Sequence, residues 1–237
     1  MCLLTMRDRL YLAPITTNPK RILDIGTGIG LWATDMGDKF PDAKVIGIDL
    51  SRPPSEAQPN NVEFVIDDAM SMWTYNDNFD FIHIRGLYAS SADWPVLYGQ
   101  IFDHLHPGGY LEQMEWSMRV QCDDGSLHDD SPVAQWSRDA LKISQEADKT
   151  AQIAEEMREL IGRAGFVDIV EKKYKWPIGS WSRDPLTKKI GHWNLRNWEE
   201  GMEGWAMALY TRTWGVSGLY PCDVQQLTLS VVTGASS

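Results

Sequence analysis

The sequence predicts an α/β protein with a doubly wound, mostly parallel sheet and a helical C-terminal cover. Short apolar runs of strand length recur through the first half of the chain, and several of them end in an acidic residue. Between them lie stretches whose apolar residues are spaced three and four apart, as on one face of a helix. This alternation is typical of parallel sheets, which bind ligands at the carboxyl ends of their strands.

The predicted strands follow the apolar runs in chain order. Five build the sheet and a sixth extends it: Ile22–Ile25, Val45–Asp49, Val62–Ile66, Phe79–Arg85, Tyr110–Glu115 and Phe166–Trp176. Polar residues at the ends of these runs are expected along one edge of the sheet: Asp24, Asp49, Asp68, Arg85 and Glu115.

The predicted helices are marked by apolar stripes and by their end signals. The first has the stripe Ile29, Trp32, Ala33, Met36 and Phe40. Ser131 is expected to cap a helix that begins at Pro132, and Gly165 to end the helix after it. The stretch 185–214 is predicted to be helical but interrupted by Gly191, Gly201 and Gly204.

A glycine-rich turn follows the first strand, in the run Asp24-Ile25-Gly26-Thr27-Gly28-Ile29-Gly30. Glycine allows a ligand to approach the backbone closely. The dinucleotide fingerprint needs a further glycine at the position of Leu31, so a pyrophosphate cofactor is disfavoured. Asp24 would repel a phosphate but could hold a cationic amino group. The turn therefore favours a cofactor with a cationic amino group, such as S-adenosylmethionine, with an ordinary strand-to-helix loop as the alternative.

Two further acids suit the same cofactor. Asp49 ends the second strand roughly 20 residues after the turn, as expected of an acid that accepts both ribose hydroxyls. Asp68 is the first choice, and Asp67 the second, to accept from an adenine amino group. A helix cap or a solvated loop charge is the alternative for each acid alone. The predicted cofactor-binding residues are Asp24, Gly26, Thr27, Gly28, Gly30, Asp49, Leu50, Asp67, Asp68, Ala69 and Arg85.

These residues resemble the class I S-adenosylmethionine-dependent methyltransferases, and longer segments are similar to the fungal LaeA-type methyltransferases of secondary metabolism. The segments include RILDIGTGIGLWATDMGDKFPDAKVIGID at 21–49, FDFIHIRG at 79–86, HPGGYLEQME at 106–115 and GHWNLRNWEEGMEG at 191–204. The resemblance implies one methyltransferase domain over 1–237, with a cofactor-binding core at 9–183, a helical lid at 184–215 and an atypical tail at 216–237. Relatives end in an antiparallel strand, and Leu227–Val232 either replaces it here or has no folded role.

Methyl transfer requires a nucleophile held near the methyl group and protected from water. For a hydroxyl or carboxylate acceptor, His83, Glu115 and His128 are the candidate bases. His83 lies within a predicted strand, so a structural histidine is its alternative. Arg85 could orient a carboxylate of the substrate or cofactor, or form a structural ion pair.

Charge and composition limit the partners. The 22 basic and 33 acidic side chains leave a net charge of -11, which predicts no direct nucleic-acid binding and favours a small molecule or a basic protein surface. Three cysteines without metal-type spacing predict neither a metal site nor a disulfide framework. No apolar stretch has the length of a membrane span, and Met1–Leu12 carries charges where a signal peptide is apolar. We expect a cytoplasmic or nuclear protein.

Two functions of different classes remain from the sequence. One is a methyltransferase acting on a small secondary metabolite. The other is a methyltransferase-fold regulatory subunit that acts through protein partners. A nicotinamide-dependent oxidoreductase is disfavoured by Leu31 in the glycine turn.

Overall fold

A computed structural model describes residues 1–15, 18–53, 58–88, 93–146 and 151–214. Its contacts divide the chain into two compact units. The first, called the sheet unit, contains Arg9–Trp116 and Ile153–Glu171. The second, called the helical unit, contains Met1–Asp8, Ser117–Gln152 and the chain from Lys172 onward. The core, lid and tail boundaries given above stay predictions, and Leu227–Val232 lies outside the described residues.

The sheet unit is built on five parallel strands, as the sequence predicted. Their bounds are β1 Arg21–Ile25, β2 Lys44–Asp49, β3 Val62–Ile66, β4 Phe79–Arg85 and β5 Leu105–Met114. They lie in the order β3-β2-β1-β4-β5, so β1 is the central strand and its neighbours are β2 and β4. The chain reverses direction of travel across the sheet at β1, which is where such folds bind their ligands.

Three described helices of the sheet unit pack on the two faces of this sheet, and the other three described helices belong to the helical unit. The described helices are α1 Cys2–Thr5, α2 Leu31–Lys39, α3 Trp94–Asp103, α4 Pro132–Glu146, α5 Ile153–Arg163 and α6 Pro185–Trp214. One core cluster joins alternate residues of β1, β2 and β4 to α3 and α5, and a second joins the other alternate residues to α2. Because successive strand residues point to opposite faces, this two-sided core is what the unbroken apolar runs predicted.

The sixth predicted strand, Phe166–Trp176, is wrong: the described chain carries no strand there. Asp168 has φ +55°, which breaks the extended conformation. The side chains of Val167 and Val170 are exposed rather than buried. The backbone carbonyl of Ile169 accepts from Arg158 Nη1 at 2.8 Å, so it is bonded to a side chain. Phe166 packs against the core, but the exposed valines after it show that the segment does not present the alternating buried face of a strand.

Two element bounds also differ from the expectation. The strand predicted at Tyr110–Glu115 begins earlier, at Leu105, because the Pro-Gly-Gly segment joins β5 with an irregular register rather than ending at a turn. Ile29 lies outside α2 at the tip of the glycine turn and is exposed, whereas Trp32, Ala33 and Met36 of the same stripe are buried.

In the helical unit, α6 is continuous through the glycines expected to interrupt it. Gly191 is needed for packing, since a Cβ there would lie 2.1 Å from the carbonyl oxygen of Gly179. Asn194 Nδ2 reinforces this approach by donating to the carbonyls of Trp176 and Pro177 at 3.2 and 3.0 Å. Among the described helices, none is both long and apolar enough to cross a membrane.

Candidate functional site

The glycine turn lies between β1 and α2 at the carboxyl edge of the sheet. Gly26 N and Thr27 N both donate to the carbonyl of Ile48, at 2.9 and 3.0 Å, which ties the turn to β2. Gly26, Gly28 and Gly30 all have positive φ, at +69°, +58° and +79°. These are backbone conformations that other residues adopt only with strain.

The three glycines face different surroundings. A Cβ on Gly26 would lie 2.7 Å from a methyl group of Leu87, and one on Gly30 would lie 2.5 Å from the ring of Phe64. A Cβ on Gly28 would meet nothing within 4 Å. The protein therefore packs against the outer two glycines and leaves the middle of the turn open to a ligand.

Asp49 lies beside this open backbone. Its Oδ2 accepts from Gly28 N at 2.9 Å, and its Oδ1 accepts from Ser51 N at 3.1 Å and Ser51 Oγ at 3.2 Å. These bonds fix the orientation of the carboxylate. The structure thus brings together the turn and the second predicted acid, which are 21 residues apart in the chain.

The ends of β2 and β3 are joined by a hydrogen bond from Asp67 N to the carbonyl of Asp49, at 3.0 Å. Both Asp67 and Asp68 are exposed, and each uses one oxygen on a nearby backbone N–H: Asp67 Oδ1 accepts from Asp68 N, and Asp68 Oδ1 from Met70 N. Leu50 and Ile66, at the same two strand ends, are 76% and 62% exposed. Apolar surface thus lies next to acceptor oxygens. The preference for Asp68 over Asp67 stays a prediction.

Asp24 lies deeper than the other acids, with only 3% of its surface exposed. Its Oδ1 is 2.7 Å from Nδ1 of His83, and its Oδ2 accepts from the Thr27 hydroxyl at 2.7 Å. A carboxylate has further lone pairs, so the predicted contact with a cationic amino group stays a prediction. In the structure, Asp24 joins β1 to β4 and to the glycine turn.

His83 is 2% exposed, and its ring stacks on Trp32 with centroids 3.7 Å apart. A general base must reach the proton that it abstracts. The burial of His83 therefore favours the structural alternative. His128 lies in the helical unit with an exposed side chain.

Glu115 directly follows β5 and is the candidate base with the most suitable surroundings. Its Oε1 accepts from Leu87 N at 3.2 Å and from Gln113 Nε2 at 3.1 Å, and its Oε2 accepts from Tyr88 N at 3.1 Å. Burial raises the pKa of Glu115 to about 7, against the lowering effect of these hydrogen bonds. A carboxyl group that titrates near neutral pH can both accept and return a proton.

Arg85 ends β4 at the same edge and is half-buried. Within the described residues, its guanidinium has no hydrogen bond or ion pair. It is therefore available to a carboxylate. Among all the residues that the structure describes, no group of three or more His, Cys, Asp and Glu side chains could hold a metal ion.

Sequence reasoning missed several groups that shape this site. Leu87 packs against Gly26, Phe64 packs against Gly30, and Ser51 holds Asp49. No local signal identifies Leu87 and Phe64, because they reach the glycines only through the order of the parallel strands, whereas Ser51 lies two residues after Asp49 and could have been recognised as a local turn residue. The pairing of Asp24 with His83 could have been found once β1 and β4 were placed side by side, since the two residues lie directly opposite in the register.

Comparisons with known proteins show which proteins this chain resembles. Residues 3–171 match a family model described as a methyltransferase domain. Methyltransferase pytC from Aspergillus terreus is 39% identical over 227 residues, which cover 95% of this chain and 69% of that protein. The secondary metabolism regulator LAE1 from Cochliobolus heterostrophus is 38% identical over 214 residues, covering 88% of this chain and 70% of that protein.

A solved structure supports the fold. The phosphoethanolamine N-methyltransferase 2 of Haemonchus contortus, in complex with S-adenosyl-L-methionine, matches with a TM-score of 0.52 at 20% identity. The match covers 94% of this chain and 45% of that one, so this chain spans less than half of its length. From its sequence relatives and its fold, the chain belongs to the LaeA-type family of S-adenosylmethionine-dependent methyltransferases.

Proposed function

We propose that this chain binds S-adenosylmethionine at the carboxyl edge of its sheet and methylates a small secondary metabolite. The observation that carries the proposal is the open backbone at Gly28, held beside the oriented carboxylate of Asp49. A side chain in place of the glycine hydrogen would fill the space that the cofactor needs. The residues present therefore fit this cofactor.

The polar groups at this edge divide the binding among the parts of the cofactor. Asp49 accepts from the ribose hydroxyls, and Asp68, or else Asp67, accepts from the adenine amino group. Leu50 and Ile66 supply apolar surface that a flat ring covers. Arg85 binds a carboxylate, for which its planar guanidinium is suited. Each of these assignments uses a group that the described structure leaves accessible.

Glu115 is the proposed acid–base group for an acceptor that loses a proton. The bound cofactor supplies a methyl group made electrophilic by its sulfonium. Glu115 Oε1 already accepts two hydrogen bonds, whereas Oε2 accepts one, so Oε2 is the atom that takes the proton. Because its pKa is about 7, Glu115 is ionised in an increasing fraction of molecules as the pH rises through neutrality.

The name of one relative offers a different acceptor. Protein-methionine methyltransferase laeA from Emericella nidulans is 34% identical and covers 96% of this chain. A thioether has no proton to lose, so Glu115 would have no acid–base role with such an acceptor. A pH profile that loses its neutral inflection in Glu115→Gln supports a protic acceptor.

The experiment that tests the proposal is metabolite profiling of a strain that lacks this gene. A compound one methyl group lighter should accumulate, and the purified chain should methylate it with labelled S-adenosylmethionine. The Asp49→Ala variant should not restore the product. A folded chain that methylates neither this compound nor any other in the extract would contradict the proposal.

A regulatory subunit is the second candidate function. It is favoured by the relative named a secondary metabolism regulator, which matches 88% of this chain. An acidic chain with net charge -11 suits a partner with a basic surface. In this case, deletion should change many metabolites together, and the Asp49→Ala variant should still bind its partner. Whether the protein is nuclear or cytoplasmic depends on which of the two functions it has.

A further inference from the structure

The buried pair of Asp24 and His83 lies under the proposed cofactor site without reaching its surface. The two residues are direct neighbours across β1 and β4, and Oδ1 of Asp24 is 2.7 Å from Nδ1 of His83. A carboxylate oxygen accepts hydrogen bonds, so we assign Nδ1 of His83 as the donor in this contact. The second oxygen of Asp24 accepts from Thr27, the residue between the first two glycines of the turn.

Trp32 holds His83 in this position. The two rings are nearly parallel, with an interplanar angle of 6° and centroids 3.7 Å apart. The indole is itself fixed, because Nε1 of Trp32 donates to the carbonyl of Leu10 at 2.7 Å. His83 therefore cannot swing toward the sheet edge, and its effect on the site must pass through Asp24.

Thr27 is held between two fixed groups. Its Oγ1 donates to Asp24. The same oxygen lies close to the backbone of Gly47, since a Cβ built on Gly47 would be only 2.8 Å from it. Its backbone nitrogen donates to Ile48. The next residue, Gly28, carries the N–H that bonds to Asp49. The position of Thr27 therefore sets where the open backbone and the Asp49 carboxylate meet.

We propose that His83 is a positioning residue for cofactor binding: it orients Asp24, and Asp24 holds Thr27 and thereby the glycine turn. This inference rests on the proposed cofactor site. Loss of the His83 donor leaves one oxygen of a buried carboxylate unpaired, which is costly away from water. The carboxylate then turns or draws in water, and the hydroxyl of Thr27 loses a fixed partner.

The test is the affinity for S-adenosylhomocysteine, measured by titration calorimetry on the full chain. His83→Leu removes the donor and should raise the Kd about tenfold, which corresponds to ~1.4 kcal/mol. His83→Asn places an amide N–H near the position of Nδ1 and should keep the Kd within about threefold of wild type. This rescue distinguishes donation to Asp24 from the filling of space.

A second variant tests the same path from its other end. Thr27→Val keeps the side-chain shape and removes the hydroxyl, so it should also raise the Kd about tenfold. Because both changes break the same hydrogen-bond network, their effects should not add. The double variant His83→Leu with Thr27→Val should therefore raise the Kd by no more than about tenfold relative to wild type. If His83→Leu does not fold, Thr27→Val and His83→Asn decide the question.

His104 provides a matched control in the same unit. Its Nδ1 is 2.8 Å from the carbonyl of Gln100 at the end of α3, away from the glycine turn. His104→Leu should leave the Kd unchanged. Folded His83→Leu or Thr27→Val with wild-type affinity would overturn the inference, as would His83→Asn binding as weakly as His83→Leu. A wild-type chain that does not bind S-adenosylhomocysteine would instead defeat the proposed cofactor site itself.

Discussion

The titration of Glu115 can be measured without knowing the methyl acceptor. Burial raises the pKa of Glu115 from an ordinary 4.5 to about 7. Each pKa unit is worth about 1.4 kcal/mol, so the raised pKa corresponds to about 3 kcal/mol of unfolding free energy. Glu115→Gln removes the titration and keeps nearly the same side-chain volume.

The direction of the effect follows from where the proton is held. Between pH 4.5 and about 7 the folded chain keeps a proton on Glu115 that the unfolded chain has released. The free energy of unfolding therefore falls as the pH rises through this window, and this contribution is constant above it. In Glu115→Gln the same interval should lack this loss of about 3 kcal/mol.

The assay is urea unfolding at pH 5, 6, 7 and 8, followed by tryptophan fluorescence. The quantity to compare is the difference between wild type and variant at each pH, because other groups titrate equally in both. Glu63→Gln, an exposed position of the same sheet that pairs with Lys44, is the control for loss of a surface charge. Parallel curves for wild type and Glu115→Gln would refute the raised pKa and the acid–base role built on it.

Three further changes test the site and its scaffold. Gly28 and Gly108 both have positive φ and open space around them, so replacing either with alanine introduces a similar strain of ~1 kcal/mol. Only Gly28→Ala should weaken the binding of S-adenosylhomocysteine in calorimetry. Equal affinities of the two variants would contradict the claim that the cofactor uses the open backbone at Gly28. Arg85→Gln should weaken the binding of S-adenosylhomocysteine about tenfold. The affinity for 5′-methylthioadenosine, which has no carboxylate, should not change. Equal losses of affinity for both ligands would exclude the carboxylate contact. Gly191→Ala should lower the midpoint of thermal unfolding, because the new Cβ meets a carbonyl oxygen. Gly204→Ala should raise this midpoint, because a Cβ there meets nothing within 4 Å and alanine favours the helix. The reverse order would contradict the packing of α6.

The strands were predictable because each is an apolar run bounded by a polar residue. β1 to β4 match their predicted bounds within one residue, and Asp49, Asp67 and Arg85 lie at the carboxyl ends of β2, β3 and β4. β5 began earlier than predicted because Pro107 and Gly108 resemble a turn, yet they lie in a strand whose register to β4 is irregular. Local composition does not reveal that a neighbouring strand will accept such residues.

The failures have a common physical origin in long-range packing. The segment after Gly165 has strand-like composition, but Asp168 adopts positive φ and the valines beside it are exposed. Gly191 was predicted to interrupt a helix, but it lies within α6, where the close approach of Gly179 requires a residue without a side chain. For the site, the sequence indicated which acids end strands, but not that Asp24 would be buried against a histidine 59 residues away.

The central claim is that Asp49 and the open glycine turn form one cofactor site, and titration calorimetry with S-adenosylhomocysteine tests it most directly. The account predicts micromolar binding by the wild-type chain, about -8 kcal/mol, and no measurable binding by a folded Asp49→Ala variant. A folded wild-type chain that releases no heat, or an Asp49→Ala variant that binds as tightly as wild type, would contradict it.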